Sequence, residues 1–440
     1  MRLTLLNLST EILSQIFKHL KTEPTTIKSL RLVCRRFCEI GSELLVPVLS
    51  FRFNKESLRR ITEISDHASI RKSVREIKFI LAFYNRSLTT IEGFVSFYGQ
   101  CLFSRSGPRK LRSLAEKQEG PEWCHVKDIH RQYLELLKLQ DAFIQSPATY
   151  QELGSAIANM PHATNLVFCN SFFRSGPDVL PPNEWDKFSC YMLQPLSAGD
   201  MWRGNLPHPS YQCVIDVINA VLATAGTSFY DLTFQLCSLG RPADMAAPGL
   251  RPVPLSQKLR KVSFDYGHIS QDGQNGQDAR DIRQFLSVCL EIPNLESLES
   301  LSINMDVNRK AQPLLLLWKL TPRGSSFPKL TSISVTYVTL KYDDLIAFLN
   351  RLSTPMVNLS MQWVNLVGGS WEATLDALRE KEPQAASVSY PCGVECNVMD
   401  ETDRLFIFEE GDDIASQAQA YISRASSENP IATWRLRGGL

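Results

Sequence analysis

Apolar residues recur at two different periods along this 440-residue chain, and the change of period divides it. Near the amino terminus Ile12, Leu13, Ile16, Phe17 and Leu20 lie one, three, one and three residues apart, which places all five on one face of a helix. Ser9 or Thr10 suits its N-cap and Glu11 the positive end of its dipole. A second segment opens after Pro24, with Ile27, Leu30, Val33, Cys34 and Phe37 again at helical spacing. A third short helix is expected over 39–46, stopped by Pro47. Helices this short cannot bury so broad a stripe between themselves. Fully burying a Leu or Phe is worth roughly 1.5–3 kcal/mol, so the stripe is expected to meet the rest of the chain, another protein, or both.

Beyond this region the period shifts to two. Residues 49–53 alternate as a strand, 56–65 read as a helix with Leu58, Ile61 and Ile64 on one side, and 74–80 as a strand again. A loose unit, apolar-x-x-apolar-x-apolar, then recurs at 74–79, 163–168, 229–234, 259–264, 298–303, 330–335 and 356–361, with 386–390 as a further candidate. The later anchors Leu232, Val262, Leu301, Ile333 and Leu359 are spaced 30, 39, 32 and 26 residues apart, with helical patterns at 211–224, 279–290, 342–352 and 371–379 between them. A strand–helix unit recurring every 20–40 residues is the signature of a leucine-rich-repeat array, whose units stack because none buries its own apolar face alone. The match is irregular: Val, Ile or Phe often replaces Leu, and Asn304 is the nearest approach to the ladder asparagine. Strands alternating with helices also fit a nonrepeating α/β domain.

Within 126–160 a long helical region is expected, with Tyr133, Leu134, Leu136, Leu137 and Leu139 in its core. Segments 105–122, 175–209, 239–257 and 268–281, rich in Pro, Gly and polar residues, read as loops or insertions. Past Asp400 a strand at 405–408 and an amphipathic helix near 412–423 suggest a cap on the last repeat. The expected organisation is therefore α/β: a helical module at 1–50, an irregular array at 51–400 and a cap at 401–440.

Composition narrows the classes. The net charge of +1 argues against nucleic acid or an anionic membrane as the main partner. Residues 1–80 hold 15 Lys/Arg against 8 Asp/Glu and residues 400–440 hold 4 against 8, a mild polarity of mostly solvated surface. There is no signal-peptide pattern and no apolar run long enough for a membrane span. Eleven scattered cysteines then read as reduced thiols of the cytoplasm or nucleus, and the sequons at Asn85 and Asn358 as unglycosylated.

The first segment, Leu8 to Phe37, resembles the F-box motif in the form common in fungal proteins. That pattern runs Leu-Pro-x-Glu-Ile/Leu-Leu, then Ile-Phe, then Leu, then a second helix ending Val-Cys-Arg-x-Phe/Trp. Leu8, Glu11, Ile12, Leu13, Ile16, Phe17, Leu20, Leu30, Val33, Cys34, Arg35 and Phe37 stand in its register, with Ser9 where proline is usual. The resemblance covers about the first 45 residues. It implies docking onto a Skp-type adaptor, and through that onto a cullin in an SCF ubiquitin ligase. Leu8, Ile12, Leu13, Ile16, Phe17, Leu20, Leu30, Val33, Cys34 and Phe37 are the implied adaptor-binding residues. An amphipathic hairpin that merely covers a larger fold has the same spacing.

No nucleophile elbow, phosphate-binding loop, dinucleotide fingerprint or two-histidine zinc helix is present, so a non-catalytic protein with no cofactor is expected. Cys392 and Cys396 lack a second ligand pair and read as small apolar residues, leaving no metal site. If the array is real, residues between its anchors face outward from the sheet, and Lys261, Asp265, Asn304, Thr336, Asn358 and Gln362 are the candidate contacts for a target protein. Tyr337 and Trp363, just past strand ends, read as core. The functional expectation is a substrate receptor acting by proximity. A scaffold that uses the F-box without ubiquitination is the alternative.

Overall fold

A computed structural model describes residues 8–20, 23–98, 120–170, 192–196, 229–236, 259–267, 296–306, 327–352, 356–381, 383–389 and 414–436, with pieces at 207–208, 217, 220, 224, 241–242, 314–315 and 392–393. Helices α1 (Thr10–His19), α2 (Pro24–Leu30) and α3 (Arg35–Ser42) come first. Nine strands follow: β1 (Val48–Arg52), β2 (Glu76–Ile80), β3 (Asn165–Cys169), β4 (Asp231–Leu236), β5 (Lys261–Gly267), β6 (Ser300–Asp306), β7 (Ser332–Thr336), β8 (Asn358–Gln362) and β9 (Ala385–Ser389). They form one sheet in which every strand pairs in parallel with its neighbour in the chain, in sequential order.

Each expected unit carries one of these strands, and the anchors fall in one line. Leu49, Ile77, Leu166, Leu232, Val262, Leu301, Ile333, Leu359 and Ala386 are all register partners in turn. Two residues on, a second buried line begins Phe51, Phe79, Phe168, Phe234, Phe264 and continues through Ile303, Val335, Met361 and Val388. Along it the rings of Phe79, Phe168, Phe234 and Phe264 stack at centroid separations of 5.1, 5.6 and 5.0 Å, the last pair within 1° of parallel. Strand spacing near 4.8 Å sets this stacking distance, because every register partner is one strand away.

The helices cover the apolar face. α4 (Lys55–Asp66) buries Leu58 and Ile61, and is capped by Asn54, whose Oδ1 accepts from Ser57 N–H at 2.8 Å. The expected helical region over 126–160 is built of two helices, α6 (Pro121–Ile144) and α7 (Pro147–Ala158), because Pro147 cannot continue a helix and instead starts one. α5 (Ile91–Phe97), unforeseen in the sequence, precedes them and buries Phe94, Val95 and Phe97. On α6, Tyr133 and Leu137 are buried, but Leu134 and Leu136 are half-buried and Leu139 is exposed. Five leucine-like positions in seven residues are too many for one helical face.

α6 also holds the segment that leaves β2. Gln140 accepts from Tyr84 N–H at 2.8 Å and donates to Tyr84 C=O at 3.1 Å, while the Tyr133 hydroxyl lies 2.6 Å from Asn85 N and 3.2 Å from its carbonyl. His130 Nε2 lies 3.1 Å from the Leu88 carbonyl. These side chains satisfy backbone groups that no strand reaches.

After β7 and after β8 the chain turns a corner. Tyr337 and Trp363 sit there at φ 56° and 55°, stacked 5.7 Å apart and 7° from parallel. Left-handed backbone at bulky residues costs about 1–3 kcal/mol, here offset by the ring stacking and by the bonds from Tyr337 N–H to Gln362 C=O and Trp363 N–H to Ser389 C=O, both 3.0 Å. Past the corner, Leu314–Leu315, Thr339–Lys341, Asn365–Val367 and Cys392–Gly393 form a second parallel sheet, unforeseen in the sequence. Helices α8 (Tyr342–Asn350) and α9 (Trp371–Glu380) follow the second and third of these strands.

At the far end α10 (Ile414–Ile422) packs on β9 and α9, and α11 (Pro430–Leu436) on α9 and α10. Arg379 lies over the Tyr421 ring and donates to the Tyr421 and Ser426 carbonyls at 2.8 and 2.6 Å. Asp376 accepts from the Tyr421 hydroxyl at 2.5 Å and from Asn429 at 2.9 Å; burial and this carboxylate push the phenol above its ordinary range. The expected strand at 405–408, the helical pattern at 279–290, most of that at 211–224 and most of the expected loops lie outside the described residues.

Two substitutions separate the roles of the two sheet faces. Phe234→Ala is expected to lower the unfolding free energy by about 3–5 kcal/mol, and outward-facing Ser360→Ala to change it by less than about 0.5 kcal/mol. Denaturant titration of both variants measures the difference.

Candidate functional site

The amino-terminal helices have a core of their own. Leu13, Phe17 and Phe37 are buried together, with Leu8, Leu30, Cys34, Ile40 and Leu44 packed around them, as a cluster separate from the main core. Phe17 and Phe37 meet edge to face at 5.5 Å. Ser9 caps α1, its Oγ accepting from Ile12 N–H at 3.4 Å. A backbone hydrogen bond, the Ser9 hydroxyl and the Arg36 charge hold the Glu11 carboxyl below its ordinary value.

The second expected helix is shorter than its apolar spacing implies. α2 ends at Leu30; Leu32 N–H and Val33 N–H bond back to the Ser29 and Leu30 carbonyls, and Cys34 starts α3 as its N-cap, its Sγ accepting from Phe37 N–H at 3.4 Å. Phe37 therefore belongs to the third helix, which opens at Arg35 and not at 39. Arg31 braces the turn, its Nε donating to Ser42 Oγ at 3.0 Å. Gly41 allows this: a methyl group there would lie 2.6 Å from Arg31 Cγ and 3.1 Å from the Phe17 ring.

The candidate adaptor-binding residues thus divide. Leu13, Phe17 and Phe37 face inward, with Leu13 and Phe17 each 1% exposed. Leu8, Ile16, Leu20, Leu30 and Cys34 are half-buried. Ile12 and Val33 face water at 46% and 62% exposure. Leu32, which helical spacing passed over, is 87% exposed. Its place in a tight turn, where no helical face claims it, is the signal that spacing alone missed. The single stripe of the sequence is two faces, one closed inside the module and one open.

The second candidate surface is the outward face of the sheet. Lys261 and Asn358 lie in one register line with Ser300 and Ser332 between them; Asp265, Asn304, Thr336 and Gln362 form another across four successive strands, spanning about 14 Å at ~4.8 Å per strand. Lys261, Asp265, Asn358 and Gln362 are exposed, Asn304 and Thr336 half-buried. Asn304 donates to Asp265 Oδ1 at 2.9 Å, so it lies in the outward line and is not an inward ladder asparagine. In the lines that cross β6 to β9, eleven of twelve outward residues are Ser, Thr, Asn or Gln; the twelfth is Ala385.

Toward β2 this face closes. Val167, Ile80 and Cys169 are buried, and Lys78 reaches across β3 to Gln235 Oε1 at 3.2 Å. At the strand starts Asp231 neighbours Lys261 and Glu299; burial raises its carboxyl above the ordinary value, Glu299 adds to this and Lys261 opposes it. Among the described residues no cluster of His, Cys, Asp or Glu has metal-binding geometry, and no helix is long and apolar enough to cross a membrane.

Comparison with protein families finds a match to the F-box domain over residues 5–45. The matched span takes in all three amino-terminal helices and the separate core beneath them. No curated protein matches the chain.

Two measurements follow from this geometry. Gly41→Ala is expected to loosen the module by displacing Arg31, read as faster hydrogen exchange in α1 and α3 with the sheet unchanged. Asp231, whose folded value is raised, contributes a penalty that is absent below the ordinary aspartate pKa and complete above the raised one. Asp231→Asn is therefore expected to increase stability at neutral pH and to leave it unchanged at pH 3, by chemical denaturation at both.

Proposed function

We propose that the chain is the substrate-recognition subunit of an SCF-type cullin-RING ubiquitin ligase, docking a Skp-type adaptor through residues 8–45 and a target protein through the sheet. In this reading residues 51–400 are an irregular leucine-rich-repeat array, and the parallel strands in chain order support it. The protein works in the cytoplasm or nucleus and performs no chemistry itself. It raises the effective concentration of a target lysine beside the ligase's charged ubiquitin carrier. The observation that carries the reading is that the span matched to the F-box leaves Ile12, Leu32 and Val33 exposed beside a closed core of its own. Leu32 and Val33, adjacent in one turn and 87% and 62% exposed, give a partner an apolar contact that the chain itself does not cover.

The docking test belongs on these exposed residues. Leu13 is closed inside the module, so Leu13→Asp would unfold it. Leu32→Asp and Val33→Asp remove exposed contacts and are each expected to weaken recovery of purified Skp-type adaptor at least tenfold, a loss of about 1.4 kcal/mol, without moving the melting temperature. Undiminished recovery with both variants refutes the assigned face. Adaptor recovered without cullin supports the non-ubiquitinating scaffold instead.

A further inference from the structure

The junction between the helical module and the sheet has almost no slack. Leu44 packs into the module's separate core, and Val46, two residues later, packs into the main core. Leu44 N–H and Leu45 N–H bond back to the Gly41 and Ser42 carbonyls at 3.2 and 3.4 Å, so the end of α3 continues to Leu45 as an ordered turn. From Pro47 the backbone already belongs to the sheet, its carbonyl accepting from Arg75 and Glu76 N–H at 2.9 and 3.1 Å.

Ser73 closes the junction from the other side. It is 2% exposed and stands 27 residues from its partner. Its Oγ accepts from Val46 N–H at 3.3 Å, and its proton is shared between the Ile70 and Val46 carbonyls at 2.7 and 3.2 Å. A buried hydroxyl that accepts from one backbone N–H and donates toward two carbonyls favours one geometry, because rotation strands a polar group away from water. The ordered turn that ends at Leu45 is therefore followed directly by the latched Val46, with no free residue between the two packed cores.

We propose that Ser73 is a positioning residue. It latches Val46 so that the module and the sheet move as one rigid body, and the target-bearing face keeps a set orientation to the adaptor-bound face. The second clause rests on the function proposed above; the first does not.

Two variants test it. Ser73→Ala removes the latch, and insertion of Gly-Gly between Leu45 and Val46 keeps both cores while freeing the hinge. Dyes placed at exposed Lys18 on α1 and Glu380 on α9, through encoded non-natural residues, report the distance distribution by time-resolved energy transfer. A narrow distribution is expected for the parent chain, and at least a twofold broader one for both variants, with adaptor affinity unchanged. In a reconstituted reaction with adaptor, cullin, RING subunit and ubiquitin, the parent is expected to modify a restricted set of its own lysines and the variants a wider set. A parent distribution as broad as that of the insertion variant overturns the rigid body, and a Ser73→Ala distribution as narrow as the parent's overturns the role of Ser73. Failure of the parent to bind adaptor or accept ubiquitin counts against the proposed function, while the energy-transfer result still decides the joint.

Discussion

The register of the sheet is the constraint on which this structure depends. Because all nine strands are parallel, in chain order and paired without offset, a residue type repeated at one position becomes a line of side chains about one strand apart. Phe51, Phe79, Phe168, Phe234 and Phe264 make such a line. Slipping one strand by a single residue would turn its aromatic ring to water and its outward polar residues into the core. The long insertion between β2 and β3 is tolerated because it leaves this register untouched. α6 fastens the departing segment through side chains of Tyr133, Gln140 and His130, so the detour ends where β3 can resume the line.

The amino-terminal module follows a different logic. With eight- to ten-residue helices apart from the shorter α2, its separate core is built on Leu13, Phe17 and Phe37, and Ile27 of α2 is buried as well. The turn at 31–33 is what separates its two faces. It ends α2 early and hands Phe37 to α3, leaving Leu32 and Val33 outside. One apolar set stabilises the module and the other is available to a partner.

Most of the sheet was legible in the sequence, because strand anchors obey a short-range rule. Leu232, Val262, Leu301, Ile333 and Leu359 announce their positions by alternation alone. The division of the amino-terminal stripe was not legible: Ile12 and Leu13 are equally apolar, and which one faces inward depends on where Phe37 lands after the Cys34 cap. The second sheet was also hidden, since its strands are two or three residues long, too short for any period to register. The closed end of the outward face depends on Lys78 and Gln235, which are 157 residues apart. The candidate target contacts were readable as outward positions, yet their grouping into two lines needed the pairing of the strands.

The uncharged stretch of that face, from β6 to β9, has a consequence for encounter. Hydroxyls and amides act only at contact distance, whereas charges draw a partner in across a Debye length of about 8–10 Å in physiological salt. A ligand seated toward β8 and β9 would meet only uncharged side chains in those lines, Lys261 and Asp265 lying at their β5 end, so its capture would proceed nearer the unassisted rate of about 10⁵–10⁶ M⁻¹s⁻¹. Its hold at that end would also depend less on ionic strength than contacts beside Lys261 and Asp265 would. Whatever selectivity that half of the sheet has must come from the fit of donors and acceptors.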